Sequence, residues 1–143
     1  MSIPYCTRTD IELDLGRERL IEVTDLADPT MGMVNDSVLN KAILAASGEI
    51  DTYTGARYGV PLPTVTELVR DIASALTIDR LFRFSKPEEV QKRADAARRT
   101  LRDISNGLAS LPGIDSAAPS GAGAVLYRDT SPAVFSREGL KDY

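Results

Sequence analysis

The residues best equipped for chemistry in this chain are its carboxylates, its tyrosines and a single cysteine, because histidine is absent. Without an imidazole, the Ser-His-Asp and Cys-His nucleophile schemes and every His-bearing zinc site are excluded. Carboxylate or tyrosine chemistry stays open, so each candidate group needs its own reading. Glu49 and Asp51 lie close in sequence. On a helix, however, they point about 200° apart, a poor geometry for a shared metal or an acid–base pair. Asp25-Leu26-Ala27-Asp28 lacks the glycine and glutamate spacing of a calcium loop and reads as a capped surface turn. Gly121-Ala122-Gly123 runs into Val125 and Leu126 rather than into a helix bearing Lys-Ser or Lys-Thr. It therefore reads as linker, not as a phosphate loop. Cys6 has no base beside it in sequence and no second cysteine to pair with. No catalytic residue, metal ligand or cofactor is assigned.

Two clusters carry more. Arg93, Arg98, Arg99 and Arg102 form a basic group. It is either a solvated helix face balanced by Glu88, Glu89, Asp95 and Asp103, or a surface for DNA or an acidic partner. Tyr53 and Arg57 are one helical turn apart, so the guanidinium can lie on the ring. With Tyr58 they form either a helix-end cluster that anchors the turn at 59–63 or an interface patch, since Tyr and Arg are enriched in binding hot spots.

The elements that must position these groups are helices. Thr9 and Glu12 read as a capping box that opens a short helix, with Asp10 in its first turn, and Gly16 interrupts it. A second short helix covers 17–23. Both are too short to persist alone and must pack on something larger. Residues 24–35 read as a loop. Leu39, Ala42, Ile43, Ala46, Ile50 and Tyr53 recur at steps of three and four and predict a long helix over 37–58. Gly59 and the prolines at 61 and 63 end it. The next helix, about 64–84, is apolar on more than one face, which suits the middle of a bundle or a helix with an extra partner face. The third long helix, 87–106, starts at a proline and has a narrow stripe of Val90, Ala94, Ala97, Leu101, Ile104 and Leu108, with Gly107 as its C-cap. The fold class predicted is all-α: three long and two short helices in a bundle over 1–111. The remainder, 112–143, is a linker followed by an extended docking arm. Val125-Leu126-Tyr127 and Ala133-Val134-Phe135 are its candidates for extended structure.

Composition fits that picture. The chain is 43% apolar and 27% charged, ordinary values for a domain of 143 residues that folds around one core without metals or disulfides. The formal net charge of −4 argues against non-specific grip on DNA. No apolar run is long enough to cross a bilayer, and the first residues lack the apolar stretch of a secretory signal. A cytoplasm is the expected place of synthesis and use.

The stretch Glu49-Ile50-Asp51-x-Tyr53-x-x-x-Arg57-Tyr58-x-x-Pro61-Leu62 resembles the head-to-tail connector proteins (adaptors, head-completion proteins) of tailed phages, especially their Mu-like prophage branch. The opening Thr9-Asp10-Ile11 through Glu22-Val23-Thr24-Asp25 and the ending Phe135-Ser136-Arg137-x-x-Leu140-x-x-Tyr143 look like that branch too. The middle helix departs from it at Ala75, where relatives often carry an acid. The resemblance implies a virion protein that assembles as a ring under the portal, extends the DNA channel and offers a platform to the tail or stopper protein. DNA would pass through the ring without specific binding, which the acidic net charge suits. The interface residues expected are Tyr53, Arg57, Tyr58, Phe135, Arg137, Leu140 and Tyr143. On this reading the middle helix's surplus apolar surface would meet a ring neighbour, and the arm would dock on a partner. The alternative is a nucleic-acid-binding helical ring of the packaging machinery, supported by the arginine cluster. An enzyme using carboxylates or tyrosine stands third.

Overall fold

A computed structural model of the chain describes residues 3–25 and 32–116. Among these residues the structure is all-helical, as the periodicity predicts, with no strand. The helices are α1 (Arg8–Leu15), α2 (Arg17–Thr24), α3 (Asp36–Thr54), α4 (Glu67–Leu81) and α5 (Glu88–Ser105).

Capping chemistry sets where each helix starts. Thr7, not Thr9, caps α1: its hydroxyl accepts from the Asp10 amide, and the Asp10 carboxylate accepts from the Thr7 amide at 2.8 Å. Both threonines have an acid three residues on. Starting at Thr7 places Arg8 inside the helix, where it pairs with Glu12 at 2.8 Å and with Asp36 at 2.7 Å. Gly16, at φ +88°, both ends α1 and begins α2, so one glycine makes the corner between them. The Asn35 side chain caps α3, accepting from the amides of Ser37 and Val38. Thr66 caps α4, and Pro87 sits at the cap of α5 rather than at its first helical position.

The ends differ more from expectation. Helix α3 stops at Thr54, with Gly55 as its C-cap, so Arg57 and Tyr58 lie in the following turn and not on the helix. At the end of α5, Gly107 adopts φ +81°. The Leu108 amide then bonds to the Asp103 carbonyl at 2.8 Å and the Gly107 amide to the Ile104 carbonyl at 3.2 Å, the paired bonds of a Schellman close. That reversal turns Leu108 out of the α5 stripe to 80% exposure.

Helix α4 is the axis of the molecule. Every residue from Ile72 to Asp79 is buried. Helix α3 packs on it most extensively, then α5, then α1. The surplus apolar surface read from the sequence is therefore covered by the chain's own helices. Most of it is not left for a neighbour, because the short helix α1 closes the side that α3 and α5 leave open, although Leu68 stays 36% exposed. The α5 stripe of Ala94, Ala97, Leu101 and Ile104 is buried as its spacing predicts.

Packing extends beyond the helices at both ends. Tyr5 and Cys6 are buried ahead of α1, and Leu111 and Ile114 are buried after α5. The core therefore continues past Leu111. The expected extended segments at 125–127 and 133–135 lie outside the described residues, as do Phe135, Arg137, Leu140 and Tyr143.

Candidate protein interface

Tyr53 lies in the last turn of α3 and Arg57 and Tyr58 in the turn that follows, with no cation–π contact between Tyr53 and Arg57. Because α3 ends at Thr54, Arg57 leaves the Tyr53 face, and its guanidinium lies over Gly107 instead. A Cβ at Gly107 would sit 2.9 Å from Arg57 Nη1, so the glycine serves both the left-handed turn and this close approach. Tyr53 is half-buried. Tyr58 is buried, and its hydroxyl accepts from the Leu111 amide at 3.0 Å. Tyr58 thus ties the turn after α3 to the segment after α5. Among the described residues a cation–π contact does occur at Arg19 over Phe82, with 5.8 Å to the ring centroid.

The arginines of α5 divide into two pairs. Arg98 reaches across the bundle to Glu49 on α3 at 2.8 Å and to Asp79 on α4 at 3.1 Å. Arg80 adds a second bond to Glu49 at 2.7 Å, and Lys86 a second to Asp79 at 2.6 Å. Burial pushes the Glu49 carboxyl up, but its hydrogen bonds to Arg98 and Arg80 and their charge outweigh burial and hold it below its ordinary value. Arg93 bonds to Asp14 of α1 at 2.9 Å, and Ser74 of α4 donates to the same carboxylate. Burial likewise raises Asp14, yet Ser74 and Arg93 leave it lowered. Arg99 and Arg102 are exposed, with no ion pair among the described residues. Half the basic cluster is therefore structural, matched by acids on other helices and not by those of α5 itself.

Glu49 and Asp51 take separate roles, as their divergence on the helix requires. Glu49 faces the arginines, whereas Asp51 accepts from the Tyr5 hydroxyl. That hydroxyl in turn accepts from the Leu62 amide at 2.9 Å, and the Tyr5 amide donates to Ser47 Oγ at 3.0 Å. Tyr5 so pins the N-terminal segment to α3 and to the turn before α4. Burial, then the bond to Asp51, pushes its pKa up to about 12. Cys6 meets Thr77 at 3.6 Å, and burial raises its thiol, which opposes thiolate chemistry. Local spacing carries no signal for these pairings, because the partners are 46 and 49 positions apart.

What remains for a partner is a set of exposed apolar side chains beside shallow grooves. Leu13 is 80% exposed on α1 and Phe84 76% exposed after α4. Sequence periodicity does not single out either residue. Ser85, after Phe84, is held at φ +43°, a left-handed conformation that side-chain-bearing residues rarely adopt. A groove of about 280 Å³ between α1, α4 and α5 has a floor of Ala75, Ile78, Phe82 and Val90 and a rim that includes Asp14, Arg19 and Arg93. Ala75 makes room in that floor where an acid would intrude. Among the described residues no group of three or more His, Cys, Asp or Glu is placed to hold a metal ion, and no helix is long and apolar enough to cross a membrane.

Residues 5–127 match the protein family described as Bacteriophage Mu, Gp36, a match that takes in all five helices. No curated protein matches the chain. With most of its length inside that match, the chain belongs to the Bacteriophage Mu Gp36 family and is a Mu-like phage protein.

Proposed function

We propose that this protein is a head-to-tail connector of a Mu-like phage or prophage. It assembles as a ring under the portal and forms the platform for the tail or stopper protein. It works by binding and carries out no catalysis. Family membership supplies the setting. The observation that carries the reading is the division of the surface. The ion pairs of Glu49, Asp79, Arg98, Asp14 and Arg93 hold the helices to one another. Large apolar side chains such as Leu13, Phe84 and Leu108 are left facing outward. A rigid body with apolar points outside is suited to being gripped by partners.

The test is a phage or inducible prophage lacking this gene. Its lysate should contain DNA-filled heads and free tails that fail to join, with joining restored by the added protein. Normally tailed particles from the same lysate would sink the proposal. The arm is tested by ending the chain at Ser116, which keeps Ile114 in the core. That variant should fold but no longer restore joining.

A second reading, a nucleic-acid-binding ring, is favoured by exposed Arg99 and Arg102. It requires salt-sensitive DNA binding that is lost in the double variant Arg99→Glu, Arg102→Glu.

A further inference from the structure

We propose that copies of this chain join head to tail through the two ends of α4, one basic around a small apolar groove and the other acidic around an exposed leucine. At its C-terminal end a groove of about 180 Å³ lies between α3 and α4, floored by Val38, Ala42, Ala45 and Leu81. The charged residues that line it are Lys41, Arg80 and Arg83, with no acid among them. Arg80 is engaged with Glu49 at 2.7 Å. Lys41 and Arg83 are exposed and carry no ion pair among the described residues. Phe84 follows directly, 76% exposed.

The opposite end has the reverse character. Beside the first two turns of α4, Leu13 of α1 protrudes among Asp10, Asp14, Glu67 and Asp71, with Arg70 as the one cation of that surface. Arg70 is bonded to Glu67 at 3.3 Å, and Asp14 to Arg93. Asp71 is exposed and without an ion pair among the described residues.

A leucine side chain suits the small apolar groove, and acids beside Leu13 would meet Lys41 and Arg83 around it. Opposite charge steers such ends together and fixes their register. The occupant favoured is a second copy, because one surface of this chain supplies the apolar knob and the acids that the other lacks. The two surfaces lie at different ends of one helix, so the contact is heterologous and each copy keeps one free end. Such a contact propagates and closes into a ring when its rotation allows. The inference rests on the connector reading only for its biological setting, and its test contains no portal.

The experiment measures self-association by sedimentation, at high protein concentration and low salt, for four forms of the full chain. These are the wild type, Lys41→Glu with Arg83→Glu, Glu67→Lys with Asp71→Lys, and the chain with all four changes. The wild type should associate, and more weakly as salt rises. Each double variant should associate about tenfold or more weakly, because attraction becomes repulsion. The fourfold variant should recover, since both signs are exchanged. Recovery also excludes misfolding as the cause of the losses. A wild type that stays monomeric, double variants that match it, or a fourfold variant as weak as either double would each overturn the proposal. Anion or DNA binding at Lys41 and Arg83 without self-association would do so as well, by assigning that end another occupant. None of these outcomes bears on whether the protein joins heads to tails.

Discussion

From Ile72 to Asp79 helix α4 is buried on every side, while the surface at its two ends displays Leu13 and Phe84 almost fully to solvent. The polar groups divide in the same way. In the buried stretch Ser74 bonds to Asp14, Thr77 to the Ala73 carbonyl at 2.7 Å, and Asp79 to Arg98 and Lys86. At the ends, Asp71, Lys41 and Arg83 carry no ion pair among the described residues. A buried polar group without a partner is costly, whereas an exposed one is solvated at little expense. The middle is thus committed to the fold, and the ends are free for contacts. Changes in the middle should alter stability, and changes at the ends should alter assembly alone.

The largest effect is expected for Leu76→Ala. Leu76 is fully buried at the centre of α4, and its loss should cost about 2–5 kcal/mol in denaturant unfolding. A value within the range of surface substitutions would remove α4 from the centre of the account.

Arg98→Ala comes next. It strips one partner from both Glu49 and Asp79, and because the site is partly open to water the cost should be about 1–3 kcal/mol. Glu49 is held below its ordinary pKa, so its stabilisation is present above the usual carboxylate range and is lost as pH falls below it. The variant should therefore unfold with a shallower dependence on acid than the wild type, and an unchanged acid limb would deny the ion pair its role.

Tyr5→Phe should cost about 1–2 kcal/mol, because it removes the hydroxyl that serves Asp51 and the Leu62 amide. It has a second signature at high pH. The fold keeps Tyr5 protonated up to about 12, above the 10.0 of a free tyrosine. Its contribution is full below the unfolded value and drains as pH rises towards the folded one. The phenylalanine variant should lack that alkaline loss, which a pH series of melting curves would show.

The smallest effect on stability belongs to the ends. Phe84→Ser and Leu13→Ser should each lie within about 0.5 kcal/mol of the wild type. A loss comparable to that of Leu76→Ala would show that these side chains pack inside the fold.

The bundle was legible in the sequence because helical burial repeats every three to four residues. The α5 stripe from Ala94 to Ile104 and the α3 face from Leu39 to Ile50 follow that period. Helix ends were less legible: α1 was expected to start at Thr9 and α3 to end at Gly59, and the structure caps them at Thr7 and Gly55. The choice of Gly55 over Gly59 took Arg57 off the Tyr53 face, and with it the expected stacking. The covering of α4 by α1 could not be read, because apolarity all round a helix does not say what meets it. Long-range pairs such as Glu49 with Arg98 and Tyr5 with Asp51 leave no periodic trace. Acids and arginines close in sequence looked mutually balanced, yet Arg98 and Arg93 reach acids on other helices. The cluster at 53–58 was proposed from residue type, and the structure turns Tyr58 inward, whereas Leu13 and Phe84 became visible only as exposure.

Mixing the purified protein with the portal protein encoded beside it and weighing the product tests the connector role. A connector forms a stable complex with about one copy per portal subunit, lost when the chain ends at Ser116. Failure to bind either portal protein or assembled capsids would contradict that role.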